Sequence, residues 1–332
     1  MKLPIENLRR QGGIDAVNPS EPDDLFITCA SFEERSHFVS DNLSRSYQAR
    51  HAIAYVNREF IVGSDGAATR SHLYAMLAAL ARHSPSVRAV EGSWLNDMDQ
   101  INSLREALGF SCEEQPTKSR ITVDCTTFNR ESLISLLLLI RTEWPTCIVR
   151  VVYASPERHG EWLSKGFRSI RNIMGLGGTQ LPGRNTVVAI LSGFEQHRTL
   201  RIIEEHEPVR VLLGMGSPPT SPEFLDRNAG EHALVLSRQD VDRFEFAAGD
   251  IGKCRDDIER AITPYINKYN IVLAPLSTKL STIAALLVAE RYPQIQMTYC
   301  LPGEYNVEDY THGVKSVFLE NLPAPGSKPF VA

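Results

Sequence analysis

The chain has 332 residues, of which 42% are hydrophobic and 23% are charged, and its formal net charge is −5 at pH 7. This length predicts two domains, each large enough to bury a core of its own. The negative charge argues against a protein that coats nucleic acid by bulk electrostatics, although it is compatible with a local basic pocket.

No stretch of the sequence is typical of a membrane span or a secretory signal. The longest apolar run, 133–140, is too short to cross a bilayer, and the first residues have no apolar signal-peptide core. The six cysteines form no CxxC pair, and most lie in or beside predicted strands, where free cysteine behaves as a small apolar residue. We therefore expect a cytoplasmic protein that binds no membrane.

Short apolar runs rich in Val and Ile alternate with segments of helical spacing along the chain, which predicts strands covered on both faces. The predicted strands are 25–30, 51–57, 87–90, 120–125 and 147–153, then 186–191, 209–214, 233–237, 270–274 and 296–300. The predicted helices are 71–82, 98–108 and 130–142, then 196–206, 254–267 and 280–291. This alternation predicts parallel βαβ units, and therefore an α/β fold with two Rossmann-like parallel-sheet domains.

The Gly- and Pro-rich stretch 169–185 predicts a linker between two halves. We therefore expect an N-terminal domain over 1–168, this linker, a C-terminal domain over 186–321 and an extended tail over 322–332.

Three stretches of the first half recur in the second half in the same order. The matched pairs are "CASFEER" (29–35) with "LSGFEQH" (191–197), "VDCTTFNRES" (123–132) with "VLAPLSTKLS" (272–281), and "YASPERHGEWLSKG" (153–166) with "YCLPGEYNVEDYTHG" (299–313). Each stretch follows a predicted strand, and loops at strand ends are where open α/β sheets bind ligands. The matches predict an internal repeat with two related sets of binding loops, with chance similarity between two generic α/β units as the alternative.

The loop after each fourth strand ends at a predicted helix start that carries a cation. Thr127 and Arg130 stand there in the first half, and Ser277, Thr278 and Lys279 stand there in the second. Backbone N–H groups at a helix N-terminus, together with a cation, form an anion site. Plain N-capping of the helix is the alternative.

The loops after the first strands carry a second set of candidates. Ser31 and Gly193 are small where the backbone must turn sharply, and each loop ends in a potential phosphate contact, Arg35 or His197. The alternative is a solvated first helical turn.

The loops after the last strands mix aromatic residues with basic or imidazole groups, as stacking on a base and binding a phosphate require. These residues are Tyr153, Arg158, His159 and Lys165 in the first half and Tyr299, Tyr305, Tyr310 and His312 in the second. Ordinary surface loops also contain such residues.

Asp124, at a strand end, is the best single catalytic candidate, but its counterpart in the repeat is Leu273. Any catalytic role of Asp124 would therefore be confined to the first half. No metal-binding motif is present, and the glycine-rich stretch 175–183 lacks the Lys-Ser/Thr of a P-loop. We expect no cofactor other than a nucleotide ligand.

The second half, 186–313, resembles the CARF (CRISPR-associated Rossmann fold) domains, which sense cyclic oligoadenylates and related nucleotides. The resemblance rests on "VVAILSGFEQHRTLRIIEEHEPVRVLL" and "IVLAPLSTKLSTIAALL". It implies ligand contacts from Ser192, Gly193, Ser277, Thr278 and Lys279. The family's turn usually has two glycines before Thr-Lys, whereas this chain has Pro-Leu-Ser, and the first half is covered only through the repeat.

Three hypotheses for the function follow. The first is a sensor of a prokaryotic defence or signalling system that binds a nucleotide or other phosphate-bearing ligand in a cleft between the repeats. Its phosphate contacts would be Arg35, Arg130, Lys279 and His312, its hydrogen-bond donors Ser31, Thr127, Ser277 and Thr278, and its stacking residues Tyr153, Tyr299 or Tyr305. The second is a metal-independent phosphodiesterase that cleaves a cyclic nucleotide in the same pocket, with Asp124, His159, His197 or His312 as acid or base. The third is a non-catalytic scaffold subunit, and the first and third both imply an effector or partner protein.

Overall fold

The computed structural model describes residues 2–4, 22–62, 66–109, 120–217 and 222–326. The chain divides into two compact units: unit 1 comprises 1–161 and 307–332, and unit 2 comprises 162–306. Unit 2 is therefore continuous in sequence, whereas unit 1 is completed by the C-terminal part of the chain. No helix of the described ranges is long and apolar enough to cross a membrane.

Unit 1 contains a seven-stranded sheet. Its strands are β1 (Lys2–Pro4), β2 (Asp23–Ala30), β3 (Ala49–Asn57), β4 (Val87–Gly92), β5 (Arg120–Asp124), β6 (Ile148–Ser155) and β17 (Ser316–Asn321). They follow the order β1-β17-β6-β5-β2-β3-β4. Strands β2 to β6 are parallel, and β17 runs antiparallel to β6 and β1.

Helices and short turns connect the parallel strands of unit 1. The helices are α1 (Phe38–Asp41), α2 (Ala67–Leu80), α3 (Asp97–Gly109) and α4 (Arg130–Glu143), with 3-10 turns at Glu34–His37 and Arg58–Phe60. Helix α4 contains the apolar run 133–140, and ten of its 14 residues are buried.

Unit 2 contains a six-stranded sheet. Its strands are β9 (Ser169–Asn172), β10 (Thr186–Leu191), β11 (Arg210–Gly216), β12 (Val241–Phe246), β13 (Asn270–Pro275) and β14 (Gln296–Leu301), in the order β12-β11-β10-β13-β14-β9. Strands β10 to β14 are parallel, and β9 is antiparallel to β14. The helices are α5 (Gln196–His206), α6 (Pro222–Glu231), α7 (Ala233–Leu236), α8 (Ile251–Ile262) and α9 (Lys279–Arg291).

The two sheets have the same strand order. In each unit the parallel strands lie in the order third, second, first, fourth, fifth, and an antiparallel strand follows the fifth. This is the Rossmann order, in which the strand sequence reverses beside the first strand. The predicted α/β fold with two Rossmann-like parallel sheets is confirmed, and the two sheets repeat each other.

The antiparallel strands are exchanged along the chain. Strand β9 follows β6 in sequence but pairs with β14, and β17 follows β14 but pairs with β6. Two short ladders precede them: β7 (Arg158–His159) with β16 (Thr311–His312) in unit 1, and β8 (Ser164–Lys165) with β15 (Glu304–Tyr305) in unit 2. Both connecting segments turn at a glycine with positive φ, Gly166 at 67° and Gly313 at 60°.

These pairings differ from the domain boundaries expected from the sequence. The expected linker 169–185 contains β9, which belongs to the sheet of unit 2, and the stretch 316–321 adds β17 to unit 1 rather than to the C-terminal domain. The physical reason is that β9 is a four-residue strand in a Gly-rich context, too short to show a strand period. Of the expected tail, residues 327–332 lie outside the described residues.

One predicted strand is wrong. Residues 233–237 were expected to be the third strand of the second half, but they form α7, and the third strand is β12. Strand β12 lies at the edge of its sheet and has the sequence VDRFEF, in which three charged residues interrupt the apolar ones. An edge strand needs no continuous apolar run, so the short run "ALVL" was mistaken for the strand.

The same core volume is filled differently in the two units. In unit 1 the ring of Tyr55 in β3 packs against Gly92 of β4, where a Cβ would overlap the hydroxyls of Tyr55 and Ser103. By strand register, the equivalent residues of unit 2 are Gly214 in β11 and Phe246 in β12. In unit 1 the second parallel strand carries the aromatic residue and the third carries the glycine. In unit 2 the second strand carries the glycine and the third carries the aromatic residue.

We expect Gly92→Ala to lower the free energy of unfolding by about 1–3 kcal/mol, because the added methyl group overpacks a filled core. Gly230→Ala in α6 is the matched control, since nothing lies within 4 Å of a Cβ there. It should stabilise the protein by about 0.5–1 kcal/mol through helix propensity. Urea unfolding of the two variants measures both effects, and a Gly92→Ala protein as stable as the wild type would contradict the packing described.

Candidate functional site

In each unit the loops after the first and fourth strands lie side by side where the strand order reverses. We call them the switch-point loops: residues 31–33 and 125–129 in unit 1, and residues 192–195 and 276–278 in unit 2. Open α/β sheets bind their ligands at this place. Most of the ligand contacts predicted from the sequence lie in these loops or at the helix starts that follow them.

The predicted donors of unit 1 are used inside their own loops. The amide of buried Ser31 donates to the Ser36 hydroxyl at 2.9 Å, and the Ser31 hydroxyl accepts from the Glu33 amide at 3.2 Å. The Thr127 hydroxyl donates to the carbonyl oxygen of Cys29 at 2.6 Å. The Ser31 bonds thus lie within the first loop and the turn after it, and the Thr127 bond holds the fourth-strand loop against the end of β2.

An aromatic ring fills the switch point of unit 1. Phe128 is fully buried and stacks on Tyr55, with ring centroids 5.8 Å apart and planes at 16°. The following residue, Asn129, caps α4 by accepting a hydrogen bond from the Ser132 amide at 2.7 Å. Arg130 is then the first residue of α4 and is half-buried.

The fourth-strand loop of unit 2 has small and polar residues instead. Ser277 takes the position of Phe128 and is partly exposed. Thr278 caps α9, accepting from the Ser281 amide at 3.1 Å and donating to the Ala248 carbonyl at 2.8 Å. Lys279 is the first residue of α9 and is partly exposed. N-capping is thus observed in both units, and Arg130 and Lys279 occupy equivalent positions.

Gly193 brings the two loops of unit 2 into close approach. A Cβ on this residue would overlap the carbonyl oxygen of Leu276, so only glycine fits between the loops. The neighbouring Ser192 is fully buried; its hydroxyl donates to the Gly214 carbonyl at 2.7 Å and accepts from the Asn228 side-chain amide at 3.1 Å. Gly193, Phe194, Ser277 and Thr278 of these loops retain exposed surface, as does Lys279.

Arg35 lies in an internal ion pair. Its Nη2 is 2.5 Å from Oε2 of Glu33, its Nε donates to the Thr311 hydroxyl at 3.0 Å, and its Nη1 donates to the Ala154 carbonyl at 2.5 Å. Only 3% of Arg35 is exposed. The guanidinium predicted to bind phosphate therefore joins the first loop, β6 and the segment before β17.

Unit 2 contains the equivalent cluster. Arg198 Nη1 is 2.9 Å from Oε2 of Glu195, and its Nε donates to the Cys300 carbonyl at 3.0 Å. The Ser164 hydroxyl donates to Glu195, as Thr311 donates to Glu33 in unit 1. Ser164 begins β8 and Thr311 begins β16, each five residues before an exchanged edge strand.

Burial alone lowers the pKa of both guanidinium groups, but the adjacent carboxylates outweigh it. Glu33 and Tyr153 raise the pKa of Arg35 above its ordinary value, and Glu195 and Tyr299 do the same for Arg198. Both guanidinium groups therefore keep their charge inside the protein.

The sequence comparison paired Arg35 with His197, and the structure corrects this pairing to Arg198. It also missed Glu33, Glu195, Thr311 and Ser164 as members of a cluster. The signal available in the sequence was the recurrent Phe-Glu of "FEER" and "FEQHR", in which the arginine is displaced by one residue.

The tyrosines predicted to stack on a ligand are mostly inside the protein. Tyr153 lies beside Arg35, and burial raises the pKa of its hydroxyl. Tyr299 is 1% exposed, lies under Arg198 with 5.2 Å from Cζ to the ring centroid, and its hydroxyl has no hydrogen-bond partner within the described ranges. Tyr305 is half-buried in β15.

The candidate histidines lie in two places. His159 and His312 share the ladder of β7 and β16, and His312 Nε2 is 2.5 Å from Oδ1 of Asp309. The hydrogen bond from His312 lowers the pKa of Asp309. His197 lies in the first turn of α5, where burial lowers the pKa of its ring.

Asp124 is 1% exposed, and both of its carboxylate oxygens accept hydrogen bonds. Thr28 donates its hydroxyl at 2.8 Å, and Thr126 donates its hydroxyl at 2.6 Å and its amide at 3.1 Å. Burial raises the pKa of Asp124 to about 6, and these hydrogen bonds offset part of that rise. This carboxyl links β2 to the loop after β5 and is not placed to contact a substrate.

Across the residues that the structure describes, no group of three or more His, Cys, Asp or Glu side chains is arranged to hold a metal ion. No protein-family model matches the sequence, and no curated protein matches it significantly. The CARF resemblance therefore stays a prediction.

Asp124 should make stability depend on pH. Its pKa is raised in the folded state, so the fold binds this proton more tightly than the unfolded chain, and stability falls as pH rises from about 4 to about 6. Relative to Asp124→Asn, which cannot titrate, we expect the wild type to lose about 3 kcal/mol over this window. Urea unfolding of both proteins at several pH values measures the difference, and parallel curves would refute it.

Arg198→Ala should lower the free energy of unfolding by about 3–5 kcal/mol, because it leaves the buried Glu195 carboxylate unpaired. Arg243→Ala is the control: Arg243 pairs with Glu245 on exposed β12, and its loss should change stability by less than about 1 kcal/mol. Adding Glu195→Gln to Arg198→Ala should recover part of the loss. Equal effects of the two arginine substitutions in thermal unfolding would contradict the buried ion pair described.

Proposed function

We propose that the chain is a regulatory protein that binds a nucleotide or another phosphate-bearing small molecule at the switch-point loops of unit 2. The observation that carries this proposal is the difference between the two units at one position. Phe128 is fully buried at the switch point of unit 1, whereas the equivalent residue of unit 2 is Ser277, which is small, polar and partly exposed.

Three further features of unit 2 support an anionic ligand. The 13-residue helix α9 begins at the loop, so its N-terminal N–H groups and partial positive charge face the same place. Lys279 supplies a cation at the first helical position. Gly193 lets the backbone of the first loop come close to the fourth, as backbone contact with a phosphate requires.

We favour binding over cleavage because Asp124, the best catalytic candidate, is not available to a ligand at this site. Asp124 is buried with both oxygens accepting hydrogen bonds, and it lies in unit 1. A role as a sensor in a prokaryotic defence or signalling system, with its output through a partner protein, rests on the resemblance to CARF domains. Cyclic oligoadenylates are therefore the first ligands to test.

Lys279→Ala should weaken nucleotide binding by about 10- to 100-fold, the effect of losing one charge-assisted hydrogen bond. Arg130→Ala is the matched control, because Arg130 is the first residue of the equivalent helix in unit 1. We expect it to change the affinity less than about twofold. Isothermal titration with ATP, cyclic dinucleotides and cyclic oligoadenylates measures both.

Ser277→Phe installs the residue of unit 1 and should abolish binding while the protein stays folded. If Arg130→Ala weakens binding as much as Lys279→Ala, the site is not confined to unit 2. If none of these nucleotides binds the wild type, the proposal that the ligand is a nucleotide is refuted.

A further inference from the structure

Unit 2 begins with a stretch of chain whose charge differs from that of the rest. The chain as a whole has 40 acidic and 35 basic residues. Between Glu161 and Glu195, however, it has no acidic residue, and four cations lie there: Lys165, Arg168, Arg171 and Arg184. We call residues 162–185, which precede β10, the basic segment.

The first part of the basic segment is exposed yet held in place. Lys165, Phe167 and Arg168 are all exposed, and 42% of Phe167 faces solvent. The segment is anchored by the pairing of β8 with β15, and the Arg168 amide donates to the Leu301 carbonyl at 3.0 Å. A large aromatic side chain is thus presented on a fixed backbone between two cations.

Two aromatic rings of the basic segment, those of Trp162 and Phe167, each have a cation over one face. Lys165 Nζ is 4.0 Å from the ring centroid of Trp162, and Arg201 Cζ is 5.5 Å from that of Phe167. Arg201 lies in α5, and its side chain is 54% exposed. Such contacts hold the rings in defined orientations before any ligand arrives.

We propose that the surface formed by Trp162, Lys165, Phe167, Arg168 and Arg201 binds single-stranded nucleic acid. Single-stranded nucleic acids are bound by aromatic side chains on which bases stack, next to cations that contact the phosphates, without sequence preference. Phe167 and Trp162 would supply the stacking rings, and Lys165, Arg168 and Arg201 would supply the phosphate contacts. The proposal is independent of the nucleotide site at Lys279.

The neighbouring acidic residues set the strength of this binding. Glu304 lies opposite Lys165 in the ladder, and Glu204 pairs with Arg201 at 2.7 Å. The net positive charge of the surface is therefore modest, so we expect a dissociation constant of about 10–100 µM at physiological salt that rises steeply with salt. An anionic membrane is a poorer match. Insertion into a membrane would need an aromatic ring that points away from its neighbours, and here the Arg201 guanidinium lies over the ring of Phe167.

Fluorescence anisotropy with a labelled oligouridine of about 12 nucleotides tests the proposal at low salt. Phe167→Ala and Arg201→Ala should each weaken binding at least about fivefold. Arg260→Ala is the matched control: Arg260 forms an i,i+3 ion pair with Asp257 at 2.9 Å on α8, as Arg201 does with Glu204 on α5. It should change binding less than about twofold.

Three results would overturn the proposal: no binding of the oligonucleotide by the wild type, equal losses in the Arg201 and Arg260 variants, or binding of phosphatidylserine vesicles without binding of the oligonucleotide. Lys279→Ala should leave oligouridine binding unchanged. The outcome here is therefore distinguishable from the outcome for the nucleotide site.

Discussion

The internal structure of each unit depends on a buried arginine–glutamate pair of its own. In each unit this pair joins the loop after the first strand, the carbonyl end of the fifth strand and a hydroxyl on the segment that leads to the exchanged edge strand. A buried ion pair contributes little net stability, but one left without its partner is strongly unfavourable. Moving the connecting segment away from this position would remove one partner of the buried charges.

This constraint is the same in the two units, whereas the switch points beside it have diverged. Tyr55 and Phe128 stack at the switch point of unit 1, and Gly214 and Ser277 replace them in unit 2. Such a pattern is expected when a duplicated fold keeps the contacts that determine its topology and one copy specialises in packing. The residues that hold the fold and those proposed to bind a ligand are then separate sets, although both lie at the same edge of the sheet.

The sequence predicted every parallel strand except β12, and most of the helices between them, because continuous apolar runs and helical spacing follow from burial. It also located the N-termini of α4 and α9, where Asn129 and Thr278 are ordinary capping residues. The sequence-based prediction failed where the apolar residues show no helical or strand period. Strand β9 is too short to show a pattern, and β12 is an edge strand in which charged residues interrupt the apolar ones. The arginine of the buried ion pair is shifted by one residue between the repeats. The sequence also contains no sign that Arg35 is buried. A charged residue in a loop is usually exposed, and only the structure shows that Arg35 pairs with Glu33 inside the protein.

The exchange of edge strands also affects how the chain is made. Strands β9 to β14 occupy one continuous stretch, so unit 2 can complete its sheet as soon as residue 306 has been synthesised. Unit 1 cannot, because β17 is synthesised only after the whole of unit 2. Until then β6, buried along nearly its whole length in the finished protein, remains an unpaired edge that invites pairing with other chains. The nascent protein thus passes through an aggregation-prone stage that lasts for the translation of an entire unit, and closing so long a loop slows the final step of folding.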